Sequence, residues 1–354
     1  MKELNLEDLT EGVARLIADQ ELAVGIQLTA IRDSTSIDIA VGQSGDGVDL
    51  QVSDEMRIFC SGKPLVATAA IDFLRRAEVP LDLALQHAAP LATARLPRHC
   101  ADYTIEDLLQ HATSLLLPKG LVAQLLPTDL LRGLVHADAS RMPADVRGYS
   151  SISTWTLLAS VVEEQGGNLE QLVAETAASL GLRHTFFGRV GYDSGPRQVA
   201  VGAMWGGRSW LPMLSDRVPE FLDEFDPALG GYSTAGDLAR YWHRVGHAVA
   251  GTSKEAVDAV LASQTATRRG DMLDWDLHRV CDFGLGMMVN LPRHWDDTGD
   301  LGADSFGHSG YLGTSFGCHS TEGNLSIGCV VVGIRDGVAA IRHIRPAIIQ
   351  LLLG

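Results

Sequence analysis

The sequence has few positive charges, and this shortage argues against two classes of function. Among its 354 residues, 28 are lysine or arginine and 44 are aspartate or glutamate, which gives a formal net charge of −16 at pH 7. Proteins that bind nucleic acids or adhere to anionic membrane surfaces need clustered basic residues. We therefore expect neither a nucleic acid nor a membrane among the partners of this protein.

The sequence also lacks long apolar runs and a leader peptide. No stretch approaches the run of about 18 consecutive apolar residues that a membrane-spanning helix requires. The opening stretch, MKELNLEDLTEGVARLIADQEL, is acidic and amphipathic, without the basic start and apolar centre of a signal peptide. Together these absences predict a cytoplasmic protein.

Paired cysteines and other metal-ligand spacings are missing as well. None of the cysteines forms a C-x-x-C pair, so neither a disulfide framework nor a zinc site is indicated. His243 and His247 have the i, i+4 spacing of helical zinc ligands, but Arg244 stands where that motif has glutamate. We expect no metal and no cofactor, and free thiols, mostly in the core, at all five cysteines: Cys60, Cys100, Cys281, Cys318 and Cys329.

Lysine is scarce, and one of the few lysines lies in an unusual place. Only four of the 28 basic residues are lysines, and Lys63 alone lies inside an apolar run, RIFCSGKPLV, three residues after Cys60. If a helix begins near Ser61, its N-terminus favours a thiolate at Cys60, and Lys63 projects from the same face. Apolar neighbours also favour the neutral, basic form of a lysine. On its own, the C-x-x-K spacing favours the simpler interpretation, a buried cysteine beside a lysine whose charged head reaches solvent.

The order of the predicted elements indicates the fold class. Strand-like stretches occur near both ends, AVGIQLTAIRD and SIDIAVG early and FGLGMMVNL, TSFGCHS and LSIGCVVVGI late, whereas the middle is mainly helical. We predict an α+β fold, an α/β sandwich in which one antiparallel sheet is flanked by N- and C-terminal helices. Residues 1–75 and 280–354 would form the sheet domain and residues 76–279 an inserted, mainly helical region, together one catalytic unit. The cleft between the two is the expected site.

Two further stretches carry groups suited to catalysis. The stretch GYSS, residues 148–151, places a phenol and two hydroxyls before a predicted helix, and Tyr149 is either a packing aromatic or an acid/base group. The stretch FGHSGYLGT, residues 306–314, places glycines at a strand edge, where a ligand can approach the backbone closely. An N–H group at that edge is a candidate donor to an oxyanion.

In this order the three stretches resemble the motifs of the serine β-lactamase-like superfamily, in its branch of class C β-lactamases, DD-peptidases and esterases. That family carries S-x-x-K, Y-x-N or Y-x-S, and K-T-G or H-x-G. The corresponding segments are Cys60-Ser61-Gly62-Lys63, Tyr149-Ser150-Ser151 and His308-Ser309-Gly310. The resemblance covers roughly residues 20–350 and extends to TIEDLLQHATSLL, GGYSTAGDLARYW and FGLGMMV. It implies the same sheet flanked by terminal helices, with a helical insertion.

The resemblance implies catalytic roles for four residues. Cys60 takes the place of the nucleophile, Lys63 that of its partner base, and Tyr149 that of a second acid/base group. The backbone N–H groups of Cys60 and Tyr311 would form the oxyanion hole.

The resemblance also implies a substrate-binding set. Ser151 holds the position that contacts the substrate amide, and Ser309 and Gly310 continue the strand edge beside Tyr311. His308 replaces the lysine that usually faces a substrate carboxylate, which indicates that a carboxylate is not required.

The sequence departs from the family at its nucleophile, because Cys60 stands where serine is expected. Ser61 does not restore the motif, since Pro64 and not lysine follows it by three residues. A serine-to-cysteine replacement made to trap an acyl adduct is compatible with the sequence. A native cysteine would form a thioester, which prefers amines over water more strongly than an oxyester does. We predict a biosynthetic acyl-transfer enzyme with an acyl-Cys60 intermediate, a small-molecule or carrier-bound acyl donor, and an amine or alcohol acceptor.

Two alternatives stay open. One is an esterase or amidase of the same fold, in which water receives the acyl group. The other is a non-catalytic binding protein that kept the cleft and lost the serine. Retention of Lys63 and Tyr149 argues against the second, because a decayed site has no physical reason to keep a lysine in an apolar helix.

Overall fold

The computed structural model describes most of the chain, with gaps. The described residues are 5–44, 47–94, 96, 98–115, 147–188, 198–199, 204–205, 208–209, 225–252, 257–266, 269–274, 279–295, 301–335 and 337–353. Among these residues, Lys63 is the one lysine.

The strands form one large antiparallel sheet and two small ones. The strand bounds are β1 Gly25–Arg32, β2 Thr35–Gly42, β3 Glu55–Arg57, β4 Phe186–Phe187, β5 Gln198–Val199, β6 Met204–Trp205, β7 Arg208–Ser209, β8 Gly231–Ser233, β9 Arg269–Asp274, β10 Arg279–Phe283, β11 Met288–Val289, β12 Phe306–Ser309, β13 Ser315–Ser320 and β14 Leu325–Val332. The large sheet has the order β2-β1-β14-β13-β12-β11-β10-β9, a second sheet has the order β4-β8-β3-β5, and β6 pairs with β7.

Helices occupy most of the remaining described chain. Within these ranges no helix is long and apolar enough to cross a membrane. The helix bounds are α1 Leu6–Gln20, α2 Lys63–Arg76, α3 Leu85–Ala88, α4 Pro90–Thr93, α5 Ile105–Leu109, α6 Ser153–Glu164, α7 Leu169–Ser179, α8 Ala235–Val249, α9 Asp258–Ala266, α10 Leu291–His294 and α11 Gly337–Leu353.

The large sheet lies between two helical layers. α8 packs against β1, β13 and β14, whereas α1 packs against β1, β2 and α11. Successive residues of β13 face opposite layers, as expected for a strand. A Cβ on Gly317 would lie 2.2 Å from Trp242 of α8, while the next side chain back, Phe316, lines a small cavity with Ile341 and Ile344 of α11. Because both faces are covered, β14 is buried along its whole length.

The predicted fold class is confirmed. The chain forms an antiparallel sheet flanked by its N- and C-terminal helices, with helices between the early and the late strands. Strand β9 and helix α8 both come from the predicted insertion, residues 76–279, yet both pack with the sheet. The division of the chain into 1–75 plus 280–354 and 76–279 stays a prediction.

The four-stranded sheet and α2 position the first motif. β3 pairs with β8 and β5 and leads through a 3-10 turn into α2. The first nine residues of α2, residues 63–71, are all buried, because helices α6, α7 and α9 pack around it. A polar side chain in this run must therefore find its partners inside the protein.

Two glycines of α8 provide a matched test of how this helix packs on the large sheet. A Cβ at Gly246 would lie 2.3–2.7 Å from the His319 ring, whereas a Cβ at Gly236 meets nothing closer than 3.4 Å. We expect Gly246→Ala to lower the free energy of unfolding by about 1–3 kcal/mol through overpacking. Gly236→Ala should raise it by about 0.4–1 kcal/mol, since alanine restricts the unfolded chain. Urea unfolding of both variants checks this, and equal stability of the two would contradict the packing of α8 on β13.

Candidate active site

A strained turn places Cys60 at the entrance to α2. The 3-10 turn begins at Phe59 and ends at Gly62, and the N–H of Lys63 donates to the carbonyl O of Cys60. Phe59 has a φ of +48°, in the left-handed region that non-glycine residues rarely adopt. A Cβ on Gly62 would lie 2.8 Å from the Phe187 ring, so this position leaves little space for a side chain. Cys60 therefore lies where the chain bends sharply between β3 and α2.

Lys63 is fully buried, and its ammonium contacts the sulfur of Cys60. Nζ donates to Cys60 Sγ at 3.0 Å and to the carbonyl O of Ala228 at 2.9 Å. Nζ also lies 5.8 Å from the ring centroid of Tyr149 and 5.7 Å from that of Trp155. At such distances an aromatic face attracts a cation. The site thus supplies the partners that a buried ammonium requires, and it holds that ammonium against the sulfur.

Tyr149 packs in an aromatic cluster beside Lys63. Its ring centroid lies 4.5 Å from that of His111, 5.8 Å from that of Phe283 and 6.1 Å from that of His308. The packing role considered from the sequence is therefore present. The ring is also next to the ammonium of Lys63, as an acid/base role would need, and that role stays a prediction.

His308 is a buried, neutral imidazole. Its Nδ1 lies 3.0 Å from the carbonyl O of Ser309, and a carbonyl can only accept, so Nδ1 carries the proton and Nε2 carries the lone pair. Burial, together with the positive charge of Lys63, lowers the pKa of His308 to about 3. At neutral pH His308 therefore cannot supply the positive charge that a lysine in this place would supply.

A second neutral imidazole, His111, lies outside the three motifs. The N–H of Ser150 donates to His111 Nδ1 at 3.2 Å, so the ring proton is on Nε2. Burial lowers the pKa of His111 well below its usual value, and the charge of Lys63 and the proximity of His308 lower it further. His111 thus accepts a backbone hydrogen bond from the second motif and adds no charge to the site.

The segments that carry the first and third motifs are in direct contact. The Ser315 hydroxyl donates to the carbonyl O of Ile58 at 2.8 Å and lies 2.9 Å from Ser61 Oγ. A Cβ at Gly310 would lie 2.7 Å from the same Ile58 oxygen, so only glycine lets the two segments come this close. Residues 254 apart in sequence therefore form one small unit beside Cys60.

This contact brings the two predicted oxyanion donors to the same region. Cys60 is the second residue of one 3-10 turn, and Tyr311 is the first residue of another. The first N–H groups of such turns have no acceptor within the turn. The Phe59 and Tyr311 rings lie 6.3 Å apart, which places the turns side by side. The role of these N–H groups as an oxyanion hole stays a prediction.

Ser151 is the predicted site residue that no contact joins to the others. It is half-buried two residues before the start of α6, and its hydroxyl makes no hydrogen bond with another described residue. Its neighbour Ser150 is fully buried, and Ser150 Oγ accepts the N–H of Thr154 at 3.3 Å. Contact of Ser151 with a substrate amide stays a prediction, as does substrate binding by Ser309 and Gly310.

One partner of Lys63 comes from a turn that the motifs do not include. Asp226 is buried, and its Oδ1 accepts the N–H groups of Ala228 at 2.7 Å and Leu229 at 3.1 Å. The sequence DPALGG in this segment is typical of a turn. That signal predicts the turn but not that the Ala228 carbonyl faces Lys63.

The remaining thiols and imidazoles form no second reactive centre among the described residues. All five cysteines are free and buried, and burial raises the pKa of Cys100 to about 11 and that of Cys318 to about 12. His243 and His247 hydrogen-bond each other through their Nε2 atoms at 3.0 Å. Within the described ranges no three His, Cys, Asp or Glu side chains are grouped as metal ligands.

Comparison with known proteins gives a family and a fold. A family model described as Beta-lactamase matches residues 13–333. The structure is similar to that of EstCE1, "a hydrolase with promiscuous acyltransferase activity" (TM-score 0.73, 16% identity, 99% of this chain and 98% of that chain). It is also similar to a penicillin-binding protein homologue from Caulobacter crescentus (0.71, 18%, 97% and 95%) and to the D-amino acid amidase of Ochrobactrum anthropi SV3 (0.69, 14%, 98% and 97%). No curated protein sequence matches significantly.

The buried neutral imidazoles predict that the protein loses stability in mild acid. Since the pKa of His308 falls from 6.5 in the unfolded chain to about 3 in the fold, the unfolded chain binds more protons between these pH values. The stability is therefore full above pH 6.5 and decreases as the pH falls, by up to about 1.4 kcal/mol per pH unit for each such histidine. Urea unfolding at pH 7, 6 and 5 measures this slope.

His308→Gln should reduce that slope, and His343→Gln, an exposed position of α11, serves as its control. An unchanged slope in His308→Gln would show that His308 is not held neutral by the fold.

Proposed function

Because the chain belongs to the beta-lactamase family, we propose that it forms an acyl thioester on Cys60 and passes the acyl group to an amine or an alcohol. The proteins of this fold family are mostly hydrolytic or acyl-transferring enzymes. The observation that carries the proposal is the 3.0 Å contact between Lys63 Nζ and Cys60 Sγ in a buried setting. A cation held against a sulfur favours the thiolate, which is the nucleophilic form.

The first half-reaction transfers the acyl group from the donor to the enzyme. The proton of the Cys60 thiol lies on Lys63, which gives the thiolate–ammonium pair, and the thiolate sulfur attacks the carbonyl carbon of the donor. The carbonyl oxygen takes up the electron pair and accepts hydrogen bonds from the N–H groups of Cys60 and Tyr311. The bond to the leaving group then breaks, and the leaving group takes the proton back from Lys63 or from Tyr149. The result is an acyl-Cys60 thioester.

The second half-reaction releases the acyl group. The acceptor amine or alcohol attacks the thioester carbonyl and loses its proton to the group, Lys63 or Tyr149, that gave its proton to the leaving group. The carbon–sulfur bond breaks, and the proton returns to Cys60. Water in the acceptor position gives hydrolysis instead, so transfer and hydrolysis share every protein group and differ only in the acceptor. EstCE1, named a hydrolase with promiscuous acyltransferase activity, indicates that both outcomes occur on this fold.

The chemistry of the site restricts the substrate class. A neutral His308 gives no cation to pair with a carboxylate, so we propose an acyl donor without a required carboxylate, either a small molecule or a carrier-bound acyl group. The net charge of −16 agrees with this, because it disfavours anionic donors. A cytoplasmic location and a biosynthetic role complete the proposal.

Intact-mass spectrometry with p-nitrophenyl acetate tests the acyl-enzyme directly. We expect one acetyl group on the wild-type protein and none on Cys60→Ala. Lys63→Met, which keeps the length and apolar bulk of the side chain, should acylate about 10²–10⁴-fold more slowly because the proton acceptor is lost.

Cys100→Ala is the matched control, since Cys100 is also a buried thiol and should leave acylation unchanged. An adduct that persists in Cys60→Ala would remove Cys60 as the nucleophile. Full activity of Lys63→Ala in every assay, together with a gain in stability, would instead support the non-catalytic alternative.

Partition between water and an added amine separates transfer from hydrolysis. With an activated ester and increasing amounts of a primary amine, we expect the wild-type enzyme to form mainly amide. Cys60→Ser should shift the product ratio toward the free acid, because an oxyester discriminates less in favour of amines than a thioester does. Chromatographic quantification of both products measures the ratio, and free acid alone from the wild-type enzyme would identify a hydrolase.

A further inference from the structure

The turn at residues 226–230 supplies the backbone acceptor of Lys63. Asp226 holds this turn through three hydrogen bonds, because its Oδ1 accepts the N–H of Ala228 and Leu229 and its carbonyl O accepts the N–H of Gly230 at 3.0 Å. The carbonyl O of Ala228 is thereby directed at Lys63 Nζ, 2.9 Å away. The carboxylate of Asp226 is thus linked to the buried ammonium through the Ala228 residue, whose N–H it accepts and whose carbonyl O accepts from Lys63.

We propose that Asp226 is a positioning residue that keeps the Lys63 ammonium charged and directed at Cys60. The proposal rests on the proposed function, because it gives Asp226 a part in activating the same thiol. Asp226 does not touch the reacting atoms. It acts through the Ala228 carbonyl, which it fixes, and through its own negative charge.

The geometric part of the proposal concerns the acceptors of Lys63. Its Nζ donates to one neutral carbonyl, that of Ala228, and to the sulfur of Cys60. If the turn opened, the ammonium would lose its carbonyl acceptor in a fully buried place, which destabilises the charged form. Asp226 therefore holds in place the backbone carbonyl that is the oxygen acceptor of Lys63.

The electrostatic part concerns the charges around Lys63. The pKa of Asp226 lies above its usual value, because burial raises it more than its backbone hydrogen bonds and the positive charges of Arg57 and Lys63 lower it. In the proposed arrangement the carboxylate is nevertheless ionised at neutral pH and interacts with these two cations. Such a charge interaction is mutual, so the carboxylate of Asp226 stabilises the ammonium of Lys63 in turn. Burial lowers the pKa of Arg57, but an arginine guanidinium still stays charged near neutral pH. The other described side chains that face Lys63 are a thiol, two neutral imidazoles and two aromatic rings, namely Cys60, His111, His308, Tyr149 and Trp155.

The consequence is a shifted proton between two neighbouring groups. When the proton moves from Cys60 Sγ to Lys63 Nζ, a neutral pair becomes a thiolate and an ammonium with no change of net charge. A negative charge linked to Lys63 through the 226–230 turn favours this ion pair. Removing that charge should return the proton to the sulfur and reduce the reactivity of Cys60 at neutral pH.

The rate at which iodoacetamide alkylates Cys60, measured between pH 6 and 10, tests the proposal without any acyl donor. Peptide mass mapping assigns the site, and Cys60→Ala is the blank. In Asp226→Asn the charge is lost while an oxygen remains to accept the turn N–H groups. We expect its rate at pH 7 to fall about tenfold and the midpoint of its profile to rise by about one pH unit. Asp226→Ser, which also keeps an acceptor oxygen, gives the same test if Asp226→Asn does not fold.

Two controls separate positioning from a general loss of structure. Asp237→Asn removes the charge of another buried aspartate, one that accepts the backbone N–H of His184 at 2.7 Å, and it should leave the profile unchanged. In a Lys63→Met background, Asp226→Asn should have no further effect, because the group through which Asp226 acts is absent.

An unmoved midpoint in folded Asp226→Asn would overturn the proposal, and so would a shift that persists in the Lys63→Met background. A rate that falls equally at every pH would also overturn it, since that result indicates only a structural role. Alkylation reports on the thiolate alone, so these outcomes are independent of whether an acyl-enzyme forms. Intact-mass spectrometry with p-nitrophenyl acetate tests the formation of the acyl-enzyme separately.

Discussion

The burial of one ammonium against one sulfur is the constraint on which the rest of the site depends. Lys63 has no exposed surface, and its Nζ binds Cys60 Sγ and the Ala228 carbonyl. Moving an ammonium out of water is unfavourable by several kcal/mol unless partners surround it. Those partners must come from distant parts of the chain, because α2 is enclosed by other helices. The turn that carries Ala228, 165 residues downstream, and helix α6 with Trp155 are both tied to the start of α2 by this requirement.

The same charge contributes to the neutral state of the nearby imidazoles. Lys63 lowers the pKa of both His111 and His308, in each case after burial as the larger cause. Each ring then has one nitrogen fixed by the backbone, His111 as an acceptor from Ser150 and His308 as a donor to Ser309. A second lysine in place of His308 would put another buried cation near the first. A neutral ring avoids that repulsion, and it leaves this position of the site without a positive charge.

The sequence predicts these parts to different degrees for physical reasons. Cys60 and Lys63 are three residues apart at a helix start, so their contact is local and follows from helix geometry. Tyr149 and His308 could be found only because their motifs occur in a fixed order, since spacing says nothing about contacts across the sheet. The partner at Ala228 is a backbone carbonyl, which every residue has, so no residue type marks it. The fold was predictable from strands at both ends, but the packing of α8 on the sheet was not, because its apolar face does not identify the layer it covers.

The charges of the chain also bear on which acceptor the site suits. The chain carries a net charge of −16, and a field of this sign raises the local concentration of cations and lowers that of anions near the surface. Protonated amines are therefore drawn toward the protein, while carboxylate and phosphate acceptors are repelled. In the proposed reaction, an amine that reaches the acyl-Cys60 thioester must still lose a proton before its nitrogen can attack. The base for that step is the group, Lys63 or Tyr149, that gave its proton to the leaving group, since only a neutral amine or a phenolate can accept a proton. The negative field of the protein, the proposed thioester and its base thus agree with the proposed amine acceptor and disfavour an anionic alcohol.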